Sequence, residues 1–243
     1  MIDLSKGCIT FTQDIHEDQL LSIKVFGNLE SMVDCYEELI AKAIIHRASM
    51  RDPNISEANQ EKVFPYIQRI IVWLRNGDFY TAPASAKYHN ACNAGLLIHT
   101  LEVYNQLVGL RSVPKFKDVV DKYWWSAVFA VLVHDWCKIG RYESYLKWVK
   151  DDCTDDWKQE PAYRYKDDSV GRFGHGTQSL IMAMHLCASK YTSLSFEEMA
   201  AIRWHMDAWD IGHYDEVDLA KCNATIPMVR MIQFADQLAI TEY

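Results

Sequence analysis

The chain has 243 residues, 25 basic and 33 acidic side chains and a formal net charge of −8, and a chain of this length can bury a full hydrophobic core without covalent staples. The acidic balance argues against long-range attraction to nucleic acid, whereas small anions stay eligible as ligands because bound divalent cations can reverse a local field. Seven scattered cysteines, odd in number and without a CxxC pair, exclude a disulfide framework, speak against a cysteine-built zinc site and suit a reducing cytoplasm.

The N-terminus lacks a basic region followed by a long apolar stretch, so neither a signal nor a transit peptide is expected. The longest apolar run, Tyr123 to Val133, falls short of the ~20 residues that a bilayer requires. A cytoplasmic protein without a membrane partner is the expectation.

In chain order, residues 1 to 75 carry no readable motif but hold two predicted helices, Ser31 to Met50 and a second capped by Ser56 that runs to about Arg75. Gly, Pro, Ala, Ser and Asn mark Asn76 to Asn93 as a loop. Beyond it Leu97, Leu101, Tyr104 and Val108 recur at steps of four, three and four, one face of a helix that also carries His99. Lys122 to Lys138 is apolar nearly all round and predicts a helix packed on every side, with His134 and Asp135 near its C-terminal end.

From Gly140 to Gly171 charges alternate with aromatics, a pattern for a hairpin or an irregular excursion able to act as a lid. A helix is predicted from His175 to Lys190. Another follows Ser195, whose partner Glu198 completes a capping box, and ends near His205. Met206 to Asp218 reads as a polar loop, and a last helix, from about Thr225 to Ile240, presents Met228, Ile232, Ala235 and Ala239 on one face. Asp236 borders that face between Ile232 and Ile240, where a carboxylate without a partner is costly.

A His-Asp doublet alone is weak, but His134-Asp135 ends an almost wholly apolar helix, where an ionised aspartate needs a counter-charge. One reading is a helix-end histidine and a carboxylate salt-bridged to Lys138 or Arg141. The other joins the doublet to His99 and Asp236, two imidazoles and two carboxylates from core helices, a mixed nitrogen and oxygen set suited to a transition-metal ion. Glu102, one turn after His99, either orients that ring or is simply solvated.

With these residues the chain resembles the HD-domain metal-dependent phosphohydrolases, in which a lone histidine, a His-Asp doublet and a distant aspartate follow one another on a helical bundle. The segment PASAKYHNACNAGLLIHTLEV (83 to 103) is similar to the opening of a branch that includes 3′–5′ exoribonucleases and relaxase-associated proteins. The resemblance covers about 83 to 240. It implies an all-α HD bundle, with a small hairpin or irregular insertion around 140–171, divided as an N-terminal helical extension (1–82) on an HD domain (83–243).

It further implies that Lys138 corresponds to the lysine following the doublet in many members, that His175 and His205 stand where binuclear members hold a second metal, and that His89 lines the pocket. Trp136-Cys137 after the doublet departs from the usual pattern and no GYP signature occurs, so cyclic dinucleotide hydrolysis is not assigned.

The expected activity is hydrolysis of a small phosphomonoester or phosphodiester, a nucleotide foremost, by a metal-activated water. One or two divalent ions (Mn, Fe, Ni, Zn or Mg) would be held by His99, His134, Asp135 and Asp236, with Asp135 bridging to His175 and His205 and Lys138 offsetting phosphate charge. Arg141, Arg164, Lys166, Arg172 and Arg203 are candidate anion contacts. The aromatics of 142 to 165 either stack on a base or pack a hairpin. His16, His46, His185 and His213 read as structural. Two other readings stay open, a 3′–5′ exonuclease on single strands and an idle HD fold that senses a nucleotide or scaffolds a partner.

Overall fold

Residues 127 to 138 are buried without interruption, and the elements that bear the predicted ligands pack around them. The computed structural model describes residues 2–11, 20–21, 23–151, 153–166, 173–212 and 215–240. Helices dominate: α1 (Ile23–Phe26), α2 (Leu29–Ser49), α3 (Phe64–Asn76), α4 (Gly95–Leu110), α5 (Pro114–Val133), α6 (His175–Leu186), α7 (Phe196–Arg203), α8 (Glu216–Thr225) and α9 (Pro227–Ala239). A two-stranded antiparallel sheet, β1 (Tyr142–Lys150) and β2 (Trp157–Tyr165), interrupts them. No helix among the described residues is long and apolar enough to cross a membrane.

The centre of the packing is α5, which meets α2, α4, α7 and α9. Its buried part follows from composition: Ala127 to Val133 offers only apolar side chains, so every face can pack against a neighbour. The helix begins at Pro114, which tolerates the first turn because its missing N–H has no intrahelical acceptor there. It departs from helical geometry at Tyr123. The predicted helix over 122 to 138 therefore starts earlier and stops sooner, at Val133, and a 3-10 turn over Trp136–Lys138 carries the chain on.

Other boundaries differ from the sequence reading as well, among them the end of α6, at Leu186 rather than Lys190. Ser56 does not cap α3, since its hydroxyl accepts from Asn59 N–H at 3.1 Å in a local turn, and the helix opens at Phe64 with Pro65 in its first turn. The segment read as a polar loop contains a 3-10 turn (Asp207–Asp210) and the first residues of α8. The Ser195 and Glu198 capping box is formed at the start of α7.

The hairpin fulfils the expectation for 140–171, and its register pairs Tyr142 with Tyr165 and Lys150 with Trp157. That alternation puts Leu146, Trp148, Trp157 and Tyr165 on one exposed face, while Glu143 and Arg164 pair at 2.6 Å on the other. Arg47 on α2 grips Glu198 on α7 bidentately at 2.5 and 2.6 Å, both side chains being buried.

Candidate metal centre

His99 projects from the middle of α4, whose first residue, Gly95, packs on the preceding loop so closely that a Cβ there would collide with Asn90 O. Asn90 in turn donates to Glu102 Oε2 at 2.8 Å, so Glu102 anchors the loop rather than His99. His134 is the C-terminal cap of α5 and Asp135 follows it into the 3-10 turn that holds Lys138. Asp236 comes from α9, which packs against both α4 and α5.

These four side chains converge. His99 Nε2 lies 3.1 Å from Asp236 Oδ1 and 3.4 Å from Asp135 Oδ2. His134 Nε2 lies 3.4 Å from His99 Nε2, 3.3 Å from Asp135 Oδ2 and 3.8 Å from Asp236 Oδ1. Donor atoms about 2.0–2.2 Å from one ion stand about 3.0–3.5 Å apart, so the buried set fits a single cation with little adjustment.

The second oxygen of Asp135 faces the other way. Its Oδ1 lies 2.7 Å from His175 Nε2 and 3.6 Å from His205 Nε2. His134 and His205 engage backbone carbonyls through Nδ1, at 2.6 Å from Val131 O and 2.8 Å from Ile202 O, which leaves each Nε2 turned to the cluster. His205 Nε2 is buried and has no hydrogen-bond partner, as expected for a donor atom awaiting a ligand. The ligand atoms of His99, His134 and Asp236 lie within 4.8 Å of one another, as do those of His134, Asp135 and His205. A third group adds Cys137 to Asp135 and His175. Burial pushes the Cys137 thiol up to about 12, which makes it a poor ligand.

Charge explains the titration of the cluster. Burial opposes a charged His99, but hydrogen bonds to Asp135 and Asp236 outweigh it and hold the ring at about 9. His205 is raised by the same contest, burial against Asp135, whereas in His175 burial wins and the pKa is lowered. Burial would raise Asp135, yet Lys138 and His134 hold it well below the usual carboxylate range; Asp236 is lowered too, against burial, by His99. Lys138 is buried with Nζ 2.6 Å from Asp135 Oδ2, and that carboxylate overcomes desolvation to raise its pKa.

Above the cluster lies a cavity of about 90 Å³ whose walls include His89, His99, Lys138, Trp209 and Asp236. The His89 ring stands 4.9 Å from that of His99, and burial, then the charge on His99, lowers it to about 4, so it is neutral. Arg141 is placed elsewhere, 5.3 Å over the Tyr165 ring at the base of the hairpin, and is not among the residues around the cavity. Arg164 is paired with Glu143, and Arg203 reaches Asp210 and Asp215 at 3.4 and 3.1 Å. Arg172, His16 and His213 lie outside the described residues. His46 stacks on Trp125 and His185 is exposed on α6.

The sequence reading missed Asp210. Its carboxylate oxygens accept from the backbone N–H groups of His175 and Gly176, both at 2.8 Å, and cap α6 from a distant turn. It also missed Trp209 and Met206 at the cavity mouth. No periodicity in this stretch of sequence marks any of these residues. No protein-family model, curated protein or solved structure matches the chain.

Proposed function

We propose that the chain is a metal-dependent phosphohydrolase acting on a small phosphate ester, with an HD-type centre built from His99, His134, Asp135 and Asp236 and extended by His175 and His205. One observation carries the reading: the two oxygens of Asp135 divide, Oδ2 toward His99 and His134 and Oδ1 toward His175 and His205. A bridging carboxylate between two sets of imidazoles suits a pair of ions, and the order of the residues along the chain is the one on which the resemblance to HD-domain phosphohydrolases rests.

Divalent ions bound there supply Lewis-acid chemistry, lowering the pKa of water and polarising phosphoryl oxygens. The chain's residues do the rest. His134 and His205, whose Nδ1 atoms are held against Val131 O and Ile202 O, turn Nε2 to the cluster and would offer it to an ion without reorganisation. Lys138 stays charged beside Asp135 and offsets negative charge on the phosphoryl group. His89, neutral at the cavity wall, offers an N–H or a lone pair to the ester. The enclosing helices exclude bulk water, which strengthens each of these interactions.

Elemental analysis of protein purified without added metal, followed by assays on p-nitrophenyl phosphate and bis(p-nitrophenyl) phosphate, tests the proposal. Bound divalent ions, turnover that a chelator removes, and its loss in Asp135→Ala are expected. Metal-loaded protein inert to both esters would favour the idle, nucleotide-sensing reading. An exonuclease on single strands draws support from the exposed face of Leu146, Trp148 and Trp157, on which bases can stack. Strand binding that weakens steeply with salt would favour it.

A further inference from the structure

The cavity over the cluster measures about 90 Å³, room for several waters. That suffices for a phosphoryl group. Pockets that enclose a drug-sized ligand run to ~300–1,000 Å³. The group to which the phosphate is esterified must therefore lie outside, against the rim.

The rim is apolar on one side. Met206, Trp209 and Ile240 line the cavity together with Lys138 and His89. Trp209 is 86% exposed, the highest value for any large apolar side chain among the described residues. A lone exposed apolar residue is ordinary, but this one is held in place. Its N–H donates to Met206 O at 3.1 Å, and its neighbour Asp210 is fixed by His175 N–H, Gly176 N–H and Arg203. The backbone is pinned while the indole is left in solvent at the mouth of the cavity. Floor and rim thus match a molecule that is anionic at one end and flat and aromatic at the other.

We infer that Trp209 is a stacking platform for the planar ring of the leaving group, so that nucleoside phosphates are preferred over phosphates of bare sugars or alkyl alcohols. This rests on the phosphohydrolase reading and names the substrate class of the same site. Every base has a π-face, so the platform selects for a base without selecting which one.

The test compares adenosine 5′-monophosphate with ribose 5-phosphate, the same ester without its base, on metal-loaded wild type and Trp209→Ala. Binding is followed by calorimetry and turnover by phosphate release. The variant is expected to raise the ratio of the dissociation constants, nucleotide over sugar phosphate, about tenfold, with Trp209→Phe recovering most of the difference. The same split should appear in KM rather than kcat. A ratio unchanged in Trp209→Ala, with both compounds hydrolysed, overturns the platform and spares the phosphohydrolase reading. Metal-loaded wild type that neither binds nor hydrolyses either compound overturns the platform, and the phosphohydrolase reading falls with it when both p-nitrophenyl esters are also left intact.

Discussion

The carboxylate of Asp210 and the backbone N–H of His175 are joined by a hydrogen bond of 2.8 Å, although the residues belong to separate elements. The residue before α6, Gly174, has no side chain with which to cap it, so Asp210 supplies the acceptor and a negative charge at the positive end of the helix dipole. His175 reaches Asp135 from that anchored first turn. Gly176 is equally constrained, because a Cβ there would run into Arg203 O.

Asp210→Ala should therefore act on the His175 and His205 side of the centre. Loss of a cap costs about 0.5–2 kcal/mol, and loss of a supporting residue typically weakens metal binding about 10–100-fold. Under the two-ion reading, ions per chain measured at limiting metal should fall toward one. Metal content equal to that of wild type would show that α6 holds His175 without help.

Asp135→Asn keeps the shape of the side chain and removes its charge. The buried ammonium of Lys138, 2.6 Å away, then has no counter-ion there, a loss of about 3–5 kcal/mol for a broken buried pair. Metal content should collapse and the melting temperature should drop, and adding Lys138→Met should restore part of the stability without restoring metal. A single variant that melts like wild type would contradict the pairing.

Against burial, hydrogen bonds to Asp135 and Asp236 hold His99 at about 9 in the metal-free protein, above the ordinary imidazole value of 6.5. A folded pKa above the unfolded one gives stabilisation that is complete below pH 6.5 and is lost as the pH rises through about 9. The melting temperature of the metal-free protein should fall across that interval. Binding of an ion at pH 7.5 should release the His99 proton, seen as a calorimetric heat that depends on the buffer's ionisation enthalpy. A flat melting profile together with buffer-independent heats would remove His99 from the ligand set.

Cysteine reactivity gives an independent check on burial. Cys8, Cys92 and Cys153 are exposed and should alkylate rapidly at pH 8. Cys35 and Cys137, each pushed up to about 12 by burial, and Cys187, pushed up to about 11, should stay unmodified until the protein unfolds. Fast labelling of Cys137 in native protein would mean that the turn after His134 is open to solvent.

The helical face of Leu97, Leu101 and Tyr104, the all-apolar run before His134 and the polar intruder Asp236 were legible because burial imprints periodicity on sequence. So was the hairpin, from alternation. Ser56 misled because a hydroxyl serves a turn as readily as a cap. Helix α8 buries only Leu219 fully and so left no apolar stripe to read. Asp210 and Trp209 were invisible for a different reason: their surroundings, the start of α6 and the mouth of the cavity, are assembled from residues remote in sequence, and no local pattern encodes such a meeting.

The clasp between Arg47 and Glu198 ties α2 to the helix that leads to His205. Trimming the chain ahead of α4 would take away α2, which packs along α5, and with it the arginine that neutralises Glu198, a loss of about 3–5 kcal/mol for a broken buried pair against a total fold stability of about 5–15 kcal/mol. Helix α7 would be the first to give way, and His205 with it. In energetic terms the opening helices are part of the scaffold of the candidate metal centre, and no shortened version beginning after them should keep that histidine in place.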